Sequence, residues 1–245
     1  MDVLANARLG GEGITCLDWG TKPNYGTQFT NCRTVYEFEF SATRQVFDPV
    51  KKKIVGDIKD LSFVPAGTFD LIFCTAVFEH VPQFWRAAKM LPHLIKAGGI
   101  LIFDVPFFYP THFCPGDFWR FTFQGASYLL ESNQFRVCRA FGGGERAAQM
   151  LALGLNQGDV PMSFLANGTR GGANAALFST GYVLIAVKKG GPASCATLPI
   201  LIGNHYSKSF TKAEFINTHK LKTPFWPTDA GEGWTSLPSQ KGWWG

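Results

Sequence analysis

The sequence predicts an α/β protein: a doubly wound, seven-stranded, mostly parallel sheet with helices on both faces. Three observations carry that expectation. Short apolar runs rich in β-branched and aromatic residues recur along the chain, most of them continuous rather than alternating. Amphipathic stretches at helical spacing stand between some of them, which is the order of an α/β sandwich. Acids, glycines and small polar residues end the runs, where a ligand meets the carboxyl ends of parallel strands.

The runs are 14–18, 35–40, 53–58, 69–75, 100–105, 135–141 and 182–187. The second alternates, Tyr36-Glu37-Phe38-Glu39-Phe40, and so belongs near a sheet edge or ends at a functional carboxylate. Residues 77–96 carry Phe84, Ala88, Leu91 and Ile95 at helical spacing, and Gly98-Gly99 is the expected stop. Further helices are expected over 122–133 and 145–155.

At 245 residues with 46% hydrophobic content, the chain can bury one large core. Residues 1–190 read as that domain. From 191 to 245 Pro, Gly, Ser and Thr accumulate around Trp226, Trp234, Trp243 and Trp244, which predicts an irregular extension packing on the domain.

Charge narrows the partners little. The net charge is +5, but the basic residues are scattered, and Lys51-Lys52-Lys53 reads as a solvated turn. Nucleic acid is permitted without support, because no basic patch is interleaved with stacking aromatics. A small-molecule partner is the expectation. Cys16, Cys32, Cys74, Cys114, Cys138 and Cys195 lack C-x-x-C spacing, and several lie in apolar runs, which predicts reduced core thiols and a cytoplasmic protein. No apolar stretch reaches the ~20 residues of a membrane span, and Met1-Asp2-Val3-Leu4 does not begin like a secretory signal.

The run ends carry the chemistry. Asp18 and Gly20 follow the first run, where a glycine lets the backbone turn closely around a ligand. Glu39 ends the second and could accept hydrogen bonds from two ribose hydroxyls. Asp57 and Ile58 end the third, an acid and an apolar side chain suited to an adenine amine and ring face. The fourth ends in Cys74-Thr75-Ala76-Val77-Phe78-Glu79-His80. Each has a plainer reading: Glu39 as an exposed strand residue, Asp57 as a turn cap, Glu79-His80 as a helix start.

With these residues in place, the chain resembles the class I S-adenosylmethionine-dependent methyltransferases, a Rossmann-like fold, and especially the small-molecule subgroup called type 11. The matching segments are Gly56-Asp57-Ile58-Lys59-Asp60-Leu61, Phe69-Asp70-Leu71-Ile72, Phe78-Glu79-His80-Val81, Leu94-Ile95-Lys96-Ala97-Gly98-Gly99 and Val105-Pro106. The resemblance spans about residues 14–187 and is most specific over 56–106. In the first loop the chain departs from the family's G-x-G-x-G, keeping Gly20 and reading Thr21-Lys22-Pro23-Asn24 after it. The resemblance implies S-adenosyl-L-methionine as cofactor. Asp18 and Gly20 would then shape the methionine side, Glu39 hold the ribose, Asp57 and Ile58 hold the adenine, and Thr75 lie beside the sulfonium.

Residues 107–122 leave the fifth run on the ligand side, and His112, Pro115, Asp117, Trp119, Arg120 and Thr122 match a segment of the same subgroup, H-x-x-P-x-D-x-W-R-F-T. Functionally, His112, with His80 as the second candidate, would take a proton from an oxygen or nitrogen acceptor, and Tyr109, Trp119 and Arg120 would bind it. Structurally, Asp117 would pair with Arg120, Trp119 anchor the loop and Thr122 cap the next helix. A metal held by His112, Cys114 and Asp117 is not expected, since it mixes soft and hard ligands without a fourth. The competing functions are a catalytically inactive binding or scaffolding subunit and a nicotinamide-dependent oxidoreductase. The latter needs G-x-G-x-x-G, which the chain lacks.

Overall fold

The computed structural model describes residues 13–20, 32–109, 111–112, 116–143, 181–191, 195, 211, 213–214 and 217. Eight strands form one sheet: β1 (Ile14–Gly20), β2 (Cys32–Phe40), β3 (Val46–Asp48), β4 (Lys53–Gly56), β5 (Phe69–Thr75), β6 (Ile95–Pro106), β7 (Phe135–Gly143) and β8 (Gly181–Lys188). Their order is β3-β4-β2-β1-β5-β6-β8-β7. From β4 to β6 the neighbours run parallel, while β3 pairs antiparallel with β4, and β8 with both β6 and β7. This is the doubly wound, mostly parallel α/β fold, with the seven expected runs present as strands and β3 added.

The extra strand comes from the short route between β2 and β4. The carboxylate of Asp48 accepts from the amides of Val50 and Lys51, and Lys52 takes a positive φ of 57°, so the chain reverses tightly and pairs Val46–Asp48 with β4. Three residues in an edge hairpin leave no periodicity to read.

The helix expected over 77–96 is divided and shorter. Pro82 lacks an amide hydrogen and pushes Val81 to an extended conformation (φ −104°, ψ 108°). A 3-10 turn, Phe78–His80, therefore stands apart from α1 (Phe84–Leu94). The helix also stops before Gly98-Gly99, because Ile95 already pairs with Phe69 as the first residue of β6. Gly98 does adopt a positive φ, 78°, but within the strand. A Cβ on Gly99 would lie 2.8–3.0 Å from Ile95, Lys96 and Asp70, so the backbones meet there only because the residue is glycine. The second helix, α2 (Phe123–Ser132), is capped as expected, with the Thr122 hydroxyl accepting from the Gly125 amide at 3.0 Å.

Strand alternation divides the core in two. Leu17, Ile72, Leu101 and Phe103 face α1 and α2, where Ala88, Leu91, Ala126 and Leu130 are fully buried. Each large apolar side chain so buried contributes about 1.5–3 kcal/mol. The opposite face buries Cys16, Leu71, Phe73, Ile102 and Ile185. The helix expected over 145–155, the first loop at 21–31 and most of 191–245 lie outside the described residues. Among those described, no helix is long and apolar enough to cross a membrane.

The cysteine expectation requires correction. Cys16 is bonded to Cys32, and Cys138 to Cys195; Cys74 alone among the described cysteines is a free, buried thiol, and Cys114 lies outside them. Cys16 and Cys32 sit on the neighbouring strands β1 and β2 on the second face of the sheet, a proximity that the spacing of 16 residues does not reveal. Cys195 belongs to the stretch expected as an extension and is tied to β7 through Cys138.

Candidate active site

Because β4, β2, β1, β5 and β6 run parallel, their carboxyl ends meet along one edge of the sheet. Register then aligns Gly20 with Thr75 and Thr75 with Asp104 across three strands. A cavity of 520 Å³ opens beside this line, bounded by Gly20, Phe38, Phe40, Asp57, Ile58 and His80 among others.

The expected cofactor residues divide at this cavity. Gly20, Asp57 and Ile58 line it. A Cβ at Gly20 would lie 3.3 Å from Asp18 Oδ1 and 3.4 Å from the Thr75 carbonyl, so the glycine keeps the strand ends close. Asp57 faces the cavity after its Oδ1 accepts from the Lys59 amide at 2.9 Å, and Ile58 lies against the core. Asp18 is buried on β1, and Thr75 ends β5; neither is among the lining residues.

Glu39 is also absent from the lining. On an alternating strand Phe38 and Phe40 point to the cavity, and the residue between them points away. Its carboxylate is engaged by Lys53 and by Arg44, the latter at 2.7 Å, and Lys53 above all holds it below the usual carboxylate range.

A second cavity, of 260 Å³, meets the first at Ala76. Ala76 has a positive φ of 52°, rare for a residue with a side chain, and its amide donates to the Asp104 carbonyl at 3.1 Å. That turn leads straight into Phe78–His80, whose Glu79 is 1% exposed. Glu79, Asp104, Tyr109, His112 and Gly181 line the second cavity. Burial raises the Glu79 carboxyl above its ordinary value, against its own backbone and the opposing pull of His80, His112 and Arg120. Burial, then the neighbouring Glu79, pushes Asp104 up to about 7.

The loop after β6 builds the outer wall. Asp117 accepts the His112 amide at 2.8 Å, and both terminal nitrogens of Arg120 hold the same carboxylate. These bonds keep Asp117 well below the carboxylate range, the Arg120 hydrogen bonds contributing most. Arg120 Nε also donates to the Tyr109 carbonyl at 3.2 Å. Trp119 packs edge-on against Phe84 and Trp85, and its indole N–H donates to the carbonyls of Val81 and Pro82. Phe118 and Trp119 amides both donate to the Glu79 carbonyl, which docks the loop on the 3-10 turn. Of the residues expected to bind an acceptor, Tyr109 lines the cavity, whereas Trp119 and Arg120 hold the loop.

Sequence reasoning missed Asp104, Ala76 and Phe40, and read Glu79 as part of a family segment and as the acid of a helix start, without a role in the site. A signal for Asp104 was available: it is the single carboxylate inside the apolar run 100–105, where an uncompensated charge is expensive.

Residues 11–103 match the methyltransferase domain family. No curated protein matches the chain. A chain of the complex between the Haloferax volcanii Trm112 methyltransferase activator and its methyltransferase is similar in fold, with 13% identity, a TM-score of 0.53, and coverage of 76% of this chain and 87% of that one. Two S-adenosylmethionine-dependent methyltransferases are also similar. That from Mesorhizobium loti has 13% identity, a TM-score of 0.46 and coverage of 72% and 92%, and that from Archaeoglobus fulgidus has 14%, 0.45, and 76% and 88%.

The sheet order is that of the class I S-adenosylmethionine-dependent methyltransferase fold, and the match to the methyltransferase domain family lies within it. The match covers residues 11–103, and the cofactor that it supports is S-adenosyl-L-methionine. The first cavity fits that group in this chain: a glycine whose Cβ would crowd the strand ends, an acid beside an apolar side chain, and the aromatic rings of Trp19, Phe38, Phe40 and Phe118.

Proposed function

We propose that this protein transfers a methyl group from S-adenosyl-L-methionine to a small-molecule oxygen or nitrogen acceptor seated in the 260 Å³ cavity. The observation that carries the reading is the junction of the two cavities at Ala76, one suited to a nucleoside and the other lined by Glu79, Asp104 and His112. The bound sulfonium supplies an already activated methyl group, so the chain has chiefly to orient the acceptor and exclude water.

In this reading Gly20, Asp57, Ile58, Phe38 and Phe40 hold the cofactor, and Asp57 takes the carboxylate role expected of Glu39. Asp18 and Thr75 act from behind by shaping the strand ends around Gly20. His80, in the wall of the first cavity, bounds the cofactor, and Tyr109 bounds the acceptor. His112, oriented by Asp117, receives the proton that an O–H or N–H acceptor loses. The two carboxylates in the lining suit an acceptor that brings its own hydrogen-bond donors. The expectation of a cytoplasmic setting rests on reduced thiols, and the two disulfides remove that ground.

Calorimetric titration with S-adenosyl-L-methionine tests the cofactor half, with NAD as the control. Labelled methyl transfer into a metabolite extract rich in amines and hydroxyl compounds tests the acceptor half. Cofactor binding without any labelled product would favour a binding subunit over an enzyme.

A further inference from the structure

We propose that Glu79, His80 and His112 bind one divalent transition-metal ion of the Zn2+ type, with an open coordination position facing the 260 Å³ cavity. Glu79 and His80 come from the 3-10 turn after β5, and His112 comes from the loop after β6. One ligand atom from each lies within 4.8 Å of the other two.

The spacing suits a shared ion better than direct bonds. Nε2 of His80 is 3.7 Å from Glu79 Oε1, and Nε2 of His112 is 3.8 Å from the same oxygen. Both separations are too long for hydrogen bonds. Ligands about 2.1 Å from one tetrahedral ion stand about 3.4 Å apart, so closure needs a few tenths of an ångström between Glu79 and each histidine, and up to about 1.4 Å between the two histidines, which lie within 4.8 Å of each other.

The opposite ring nitrogens are set as metal-ligating histidines require. His80 Nδ1 meets the Gly116 carbonyl, and His112 Nδ1 stands 3.3 Å from Asp117 Oδ2. Each acceptor draws the ring proton to Nδ1, which leaves Nε2 of that ring unprotonated on the Glu79 side, 3.7 Å and 3.8 Å from its Oε1. Arg120 keeps Asp117 in place for that task.

Glu79 supplies an independent observation. Its Oε2 is buried without a hydrogen-bond partner, an arrangement that is costly for a carboxylate unless a cation offsets it. Two imidazoles and one carboxylate select zinc, cobalt or ferrous iron over magnesium and calcium, which prefer all-oxygen shells. Because Glu79 and His112 line the acceptor cavity while His80 lines the other, the ion would sit in the wall between them. Its open position would take an acceptor oxygen or nitrogen, and this last role rests on the proposed methyl transfer. A ligated Nε2 has no lone pair to accept a proton, so metal loading would replace the basic role of His112.

The test uses the full chain, stripped with chelator and titrated with Zn2+ by calorimetry and with Co2+ by visible absorption. One equivalent should bind, and Co2+ should develop ligand-field bands. His80→Gln and His112→Gln should each weaken Zn2+ binding at least about 100-fold, and Asp117→Asn about 10–100-fold. His93→Gln should leave it unchanged, since that ring bonds to the Val64 carbonyl elsewhere. Melting curves establish that each variant is folded. In the unsubstituted Co2+ protein, two hyperfine-shifted exchangeable Nδ1–H signals should appear, a readout that needs no variant. Absence of saturable one-to-one binding by the folded, stripped chain would overturn the inference, as would undiminished affinity in folded His80→Gln and His112→Gln variants. S-adenosyl-L-methionine titrated into the same samples separates the two ideas: binding of cofactor without Zn2+ defeats only the metal site, and the reverse defeats only the methyl-transfer reading.

Discussion

Asp117 and Arg120 form a two-pronged pair, and the same Asp117 carboxylate accepts the backbone amide of His112. One side chain thus joins the stability of the loop to the position of its histidine. Asp117→Asn should cost about 2–3 kcal/mol, somewhat less than the loss of a partner from a fully buried pair. The carboxyl lies below its ordinary range when folded, so the stabilisation is present above the ordinary carboxylate pKa and disappears as pH falls through the lower, folded value. Chemical denaturation of both proteins at acid and neutral pH should give curves that converge in acid.

His112→Gln separates chemistry from binding. It retains a polar side chain without an imidazole, so turnover should fall by about 10²–10⁴-fold. Affinity for S-adenosyl-L-methionine should hold, because His112 lines the second cavity rather than the first. Full turnover across neutral pH would remove His112 from the reaction.

Asp57→Ala should weaken S-adenosyl-L-methionine binding by about 1–3 kcal/mol, the range for a hydrogen bond to a charged group. Glu39→Ala should leave that affinity unchanged, because Lys53 and Arg44 engage its carboxylate off the cavity lining. Calorimetry on the two variants side by side checks both; a large loss from Glu39→Ala would restore it to the ribose.

Asp104 should give the stability a slope of the opposite sign to that of Asp117. Its folded pKa of about 7 is raised, so the native state holds a proton that the unfolded chain releases above the ordinary Asp value. Its contribution is fully present below that value and is lost as pH rises to about 7. Asp104→Asn should flatten this part of the profile in denaturant titrations at a series of pH values.

Reduction of the Cys16–Cys32 disulfide should destabilise the domain by about 3 kcal/mol, the loop-entropy value for a closure of this length. Melting of a Cys16→Ala, Cys32→Ala double variant, with and without reductant, measures it: reductant should then lower the melting temperature less than it does in the unsubstituted chain.

By itself the sequence determined seven of the eight strands and the cofactor class. Buried parallel strands must be apolar on both faces, so β1, β4, β5 and β6 announce themselves as continuous runs, and Asp57, Ile58 and Gly20 are legible as the residues that end them. The tertiary structure alone decided what depends on contacts between distant segments. Cys16 meets Cys32 because β1 and β2 are neighbours, the face of β2 that carries Phe38 and Phe40 rather than Glu39 is the one turned to the cavity, and Glu79 joins His112 because the loop after β6 folds onto the turn after β5. Local propensity follows residues a few positions apart, whereas a site assembled from several strand ends is set by register and loop docking, for which the linear sequence carries no periodic signal.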